Sequence, residues 1–138
     1  MATARAAAPR AALRAWSREP AVRDAWLAFW TSRAIVWAAG VVAVVALGVL
    51  DANATRFDPD GLTRPFAGAG DDLVAPGARW DAAWYLRIAE DGYGPDRARA
   101  AFFPLYPLLV AAGGLVLGSP LVAGILVSLA CLFGALVL

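Results

Sequence analysis

One stretch of this sequence places carboxylates, guanidinium groups and aromatic rings close enough to act together: residues 79–107, RWDAAWYLRIAEDGYGPDRARAAFFPLYP. Residues 79–91 contain no helix breaker and Gly92 follows as a natural stop, so the spacing predicts a short helix over 79–91. At about 100° per residue, Trp80, Trp84, Tyr85 and Ile88 share one broad face, with Asp81 among them. Arg87, Glu90 and Asp91 lie on one flank and can pair with one another at spacings of three and four. Asp81 finds only Trp84 and Tyr85 at those spacings, so its own helix offers it no charged partner.

Asp81 then has two readings. It is either an N-terminal helix residue that caps free amides or complements the helix dipole, or a carboxylate held among aromatic rings at the lipid headgroup level. In the second case partial loss of water makes it a better general base. Arg97 and Arg99 fall just before an apolar run, where the phosphates of a lipid would lie. Ordinary interfacial anchoring is the default for such residues. Asp71 and Asp72 are adjacent acids with no third ligand nearby, a pattern that usually means solvated charge, and no metal site is assigned.

The elements that must position these groups are apolar to an extent that points to a bilayer. Of 138 residues, 61% are hydrophobic and 17% charged, and the mean hydropathy is +0.62, well beyond an ordinary soluble domain. All 12 basic residues are Arg and the net charge is +1, which gives no sign of a nucleic-acid partner. The lone Cys131 sits in an apolar run, cannot form an internal disulfide, and reads as a small buried hydrophobe.

Residues 1–24 form a basic tail, and a positive juxtamembrane segment stays in the cytoplasm. The uncharged run 34–50 is only about 25 Å long as a helix, short of a hydrocarbon core of about 30 Å. The first span is therefore expected over 26–50, with Trp26 and Trp30 as an interfacial belt. Arg33 lies inside that helix, where it either snorkels to the cytoplasmic surface or faces the bundle and meets a lipid phosphate. The run is too long for a signal-peptide core despite Ala52-Asn53-Ala54, and a retained anchor is expected.

Residues 51–100 are expected outside the cell. Residues 51–99 carry nine acids and six Arg, a net of −3, whereas residues 1–33 carry six Arg and two acids, a net of +4. Asp58-Pro59-Asp60-Gly61, Gly68-Ala69-Gly70 and Pro76-Gly77 break residues 58–77 into loop without long helix or strand. A second span is expected over 101–118, with Pro104 and Pro107 in its first turns. Gly118-Ser119-Pro120 is read as a tight cytoplasmic turn and 121–138 as a third span. Gly114/Gly118 and Gly124/Ser128 give small-residue spacings suited to close helix packing. The chain ends within an apolar run, as the N-terminal part of a longer multi-pass protein would.

Two blocks carry a family resemblance: residues 79–93, RWDAAWYLRIAEDGY, and 101–109, AFFPLYPLL, together with Ser32-Arg33 in the first span. They resemble the signature of the PIG-V family of membrane mannosyltransferases, relatives of the enzyme that adds the second mannose to glycosylphosphatidylinositol anchors. The resemblance implies an all-α polytopic membrane protein, here the N-terminal part of a GT-C fold with three transmembrane helices and an interfacial helix in the first outer loop. It implies an enzyme that moves a sugar from a polyprenyl-phosphate-linked donor to a lipid or glycan acceptor on the outer face, without a cofactor. Asp81 matches the acidic position of the family's loop motif and is implied to be the general base. Arg33, Arg79, Arg87, Arg97 and Arg99 are the candidates for holding the lipid phosphate. Trp80, Trp84 and Tyr85 would stack on sugar or guide the prenyl chain. Family members have more spans than are present here, so this stretch alone is expected to be inactive. Two other classes fit the pattern: a non-enzymatic membrane adaptor, with Asp81 only a cap, and a fragment of a lipid-linked glycan transporter. A transporter predicts ionisable residues within its spans, and Arg33 is the one such residue in these.

Overall fold

The computed structural model describes residues 19–48, 56 and 58–138. Most of the basic tail, and the Ala52-Asn53-Ala54 sequence, lie outside the described residues. Among those described the chain is all helical. Five α-helices follow in order: α1 Pro20–Leu47, α2 Ala69–Val74, α3 Ala82–Asp91, α4 Leu105–Leu117 and α5 Pro120–Val137, with 3₁₀ turns at Ala75–Gly77 and Arg97–Ala101.

α1 begins six residues before Trp26. Pro20 sits in its first turn, where a missing amide costs nothing, and Gly48 closes it at φ 71° by donating to Val44 O. Its 28 residues give about 42 Å of helix. α1 and α5 are both long and apolar enough to cross a membrane. α4 is not: its 13 residues reach about 20 Å, against a hydrocarbon core of about 30 Å. The expected span over 101–118 is shorter because Ala101 still belongs to the 3₁₀ turn, Phe102 is extended, and helix starts only after Pro104.

α4 and α5 form an antiparallel hairpin. Gly118 turns the chain in the left-handed region, at φ 72°, and Ser119 caps α5 by accepting from Val122 N. Close approach holds the pair. A Cβ on Gly113 would lie 2.9 Å from Ala123 Cβ, and one on Gly124 would lie 3.2 Å from the Tyr106 hydroxyl. That hydroxyl donates to Gly124 O at 3.0 Å and lies 2.9 Å from Ser128 Oγ. Leu86 of α3 completes a small core with Val110 and Leu121.

The direction of α5 corrects one expectation. Phe133, late in α5, meets Trp26 and Phe29 early in α1. Ile125, early in α5, and Trp37, further along α1, lie on either side of Gly77. α5 therefore runs antiparallel to α1, and the Gly118–Ser119 turn lies towards the end where α1 finishes, not the end where it starts. The physical reason is the length of α4. It starts beside Ser128, part-way along α5, and returns to the end it came from.

The segment before α3 is locked onto α1. Trp37 Nε1 donates to Leu73 O at 2.7 Å. A Cβ on Gly40 would come within 2.8 Å of Pro76 Cβ, so only glycine lets the loop lie this close. This fixes where Arg79, Trp80 and Asp81 emerge.

Candidate functional site

α3 starts at Ala82, so Arg79, Trp80 and Asp81 lie ahead of the helix and not on its face. Asp81 occupies the N-cap position at φ −77°, ψ 2°, and its side chain makes no capping hydrogen bond. With near-zero ψ the carboxylate is not in the extended geometry that lets a cap reach the N2 and N3 amides. Among the described residues this exposed carboxylate has no hydrogen-bond or ion-pair partner. The local turn is made instead by the backbone, Ala82 N donating to Arg79 O and Tyr85 N to Asp81 O, both at 3.1 Å.

Trp80 takes φ 57°, a left-handed conformation that a bulky side chain rarely adopts. It is 97% exposed, and its ring meets no other ring among the described residues. The shared aromatic face read from the sequence is therefore divided. Ile88 is buried. Trp84 stacks on Phe102 at 5.8 Å, and Tyr85 packs edge-on against Phe102 and Tyr106 at 5.0 and 4.8 Å. Trp84 and Tyr85 thus fasten α3 to the start of α4, while Trp80 and Asp81 project free.

The arginines divide in the same way. Arg87 does not pair with Glu90 or Asp91. Its Nη2 lies 2.6 Å from Asp60 Oδ2, a charge contact without aligned hydrogen-bond geometry. Helical spacing weighs only neighbours on the same helix, and the 58–65 loop folds back to supply a nearer acid. Arg99 is also committed: Nη1 donates to Gly92 O at 2.7 Å, and Nη2 lies 3.8 Å from Asp91 Oδ2. Beside it Tyr93 donates to Phe102 O at 2.7 Å, so Arg99 and Tyr93 together tie down the α3–α4 connection. Arg79 and Arg97 are exposed and unpartnered among the described residues. Arg33 is half-buried in α1, one turn from Phe29 and one from Trp37, with its Nε buried and unpartnered among the described residues. Ser32 spends its hydroxyl on Phe29 O.

The 58–65 loop is ordered in a way the sequence reading missed. Asp58 accepts from Leu62 N and Thr63 N, both at 2.8 Å, and from Thr63 Oγ1 at 2.6 Å. The Asp-Pro-Asp-Gly run was a signal for a turn of this kind, since Asp side chains bind their own following backbone. Between this loop, α3 and the start of α5 lies a cleft of about 330 Å³. Its rim carries Asp60, Arg64, Glu90 and Ser119, and its floor is formed largely by Leu62, Leu86 and Leu121.

No family profile, no curated protein and no solved structure matches this chain. The resemblance to membrane mannosyltransferases rests on the two motif blocks and Ser32-Arg33 alone.

Proposed function

We propose that the chain carries the acid-bearing outer loop of a membrane glycosyltransferase of the GT-C type, with Asp81 as general base. N terminus and loop lie on opposite sides of the bilayer in this reading. The Asp81 carboxylate takes the proton of an acceptor hydroxyl as that oxygen attacks C1 of the donor sugar. The bond from C1 to the phosphate oxygen breaks, its electron pair leaves with the polyprenyl phosphate, and the configuration at C1 inverts. Arg79 and Arg97, whose guanidinium groups are exposed and uncommitted among the described residues, are the arginines available to neutralise the departing phosphate. Arg87 and Arg99 are withdrawn from that role by their own contacts. Trp80 offers an unshielded ring next to the base.

One observation carries this reading: the Asp81 carboxylate sits at a helix start, exposed, and is not spent on capping that helix. A carboxylate kept only for stability would be expected to bond the free amides beside it. The test is sugar transfer from polyprenyl-phosphate mannose by the full-length protein with Asp81→Asn. Loss of a general base lowers turnover by roughly 10²- to 10⁴-fold. Wild-type turnover in a variant with an unchanged melting profile refutes the assignment.

A further inference from the structure

The cleft at the outer end of the α4–α5 hairpin is separate from Asp81. Glu90 lies nine residues beyond Asp81, about 13 Å along α3, and Asp81 does not line the cleft. Nothing in the transfer reaction described above uses Glu90, Arg64 or Asp60. We propose that this cleft is a binding site for the head group of a zwitterionic phospholipid of the phosphoethanolamine type, with the phosphate on Arg64 and the ammonium on Glu90 and Asp60.

Four observations carry it. First, the volume of about 330 Å³ is at the lower end of the range of small-ligand sites, and an apolar floor under a few convergent polar groups is their usual make-up. Second, the charges on the rim are opposite but do not satisfy one another. Arg64 and Glu90 both line the cleft, yet neither side chain has an ion-pair or hydrogen-bond partner among the described residues. Asp60 is partly neutralised by Arg87 and stays 59% exposed. A ligand with one anionic and one cationic group satisfies both ends, whereas a simple anion leaves Glu90 opposed to it.

Third, the wall is built in advance. Asp58 pins the turn through three hydrogen bonds, Arg64 N donates to Gly61 O at 2.9 Å, and Arg87 fixes Asp60. Little ordering is left for a ligand to supply. Fourth, the cleft includes Ser119 and Pro120, the N-cap and first residue of an 18-residue apolar helix. If that helix crosses a bilayer, its end lies at the level of the head groups. The ammonium of phosphoethanolamine brings three N–H donors for carboxylates. A quaternary choline head group brings none, so the site distinguishes the two.

The test uses the full chain purified in detergent, stripped of lipid, and titrated with phosphatidylethanolamine, phosphatidylcholine and phosphatidylglycerol under native mass spectrometry. Phosphatidylethanolamine is expected to bind about 10-fold more tightly than either, the size of one charge-assisted hydrogen bond. Glu90→Gln should remove the preference over phosphatidylglycerol, and Arg64→Gln should weaken all three lipids while Arg64→Lys largely restores them. Asp58→Ala, which leaves the rim charges in place, should weaken phosphatidylethanolamine by loosening the wall. Soluble O-phosphoethanolamine at millimolar concentration should compete partially. Equal binding of the three lipids overturns the proposal, as does a preference that survives both charge removals in variants whose melting is unchanged. Binding of soluble O-phosphoethanolamine without the lipid assigns the site to a free metabolite and overturns the lipid source. None of these outcomes depends on Asp81.

Discussion

Adding a single methyl group at Gly77 tests how the loop that delivers Asp81 is held. A Cβ there would lie 2.9 Å from Ile125 Cγ1, 2.9 Å from Trp37 Cη2 and 3.0 Å from Ile125 Cδ1. Carbon atoms prefer about 3.5–4.0 Å, so three contacts are each too close by roughly 0.5–1 Å. Neither neighbour yields cheaply. Trp37 is pinned through its Nε1 to Leu73 O, and Ile125 packs against the Leu86, Val110 and Leu121 core. Overpacking of this kind costs about 1–3 kcal/mol, which for a chain of this size lowers Tm by roughly 3–10 °C. Gly77→Ala should show that fall by thermal melting in detergent. Ile125→Ala removes two of the three clashing atoms, so the double variant should be more stable than the sum of the singles predicts, by at least about 0.5 kcal/mol. A neutral Gly77→Ala, or strictly additive singles, would refute the view that Gly77 is the wedge point between α1 and α5.

Two further outcomes follow from the same geometry. Trp80→Gly releases a left-handed residue worth about 1–2 kcal/mol of strain and gives up about 0.5–1 kcal/mol of chain entropy. The indole is 97% exposed and packs on nothing. The variant should therefore melt at or slightly above the wild-type temperature, and a clear fall would show that the ring has a hidden structural contact. Asp58→Ala leaves the amides of Leu62 and Thr63 without their acceptor. Its cost should be about 1–3 kcal/mol, and hydrogen exchange should rise at those two amides while protection in the α4–α5 hairpin stays the same. Uniform loss of protection across the chain would contradict a local role.

The patterns that local chemistry writes were legible in the sequence. The apolar runs are helices, Gly92 closes α3 by donating to Ile88 O, and Gly118-Ser119-Pro120 turns one helix into the next. Each of these depends on residues within four or five positions, where backbone preference and hydrogen bonding act directly. The fate of the side chains was less legible. Asp81 belongs to an aromatic-face set only if helix runs over 79–91; with helix starting at Ala82 the set falls apart.

The sequence by itself determined an all-helical, strongly apolar chain with one acid lacking a helical partner. Only the tertiary structure decided which arginines remain free, that α4 turns back beside α5, and that a cleft opens at the hairpin's end. The reason is physical. Arg87 chose Asp60 over acids three and four residues away because the chain folded a loop across it, and the loop ahead of α3 is set by the close approach of Pro76 to Gly40 and of Trp37 and Ile125 to Gly77. Such contacts join residues more than twenty-five positions apart, and no periodicity along the chain records them.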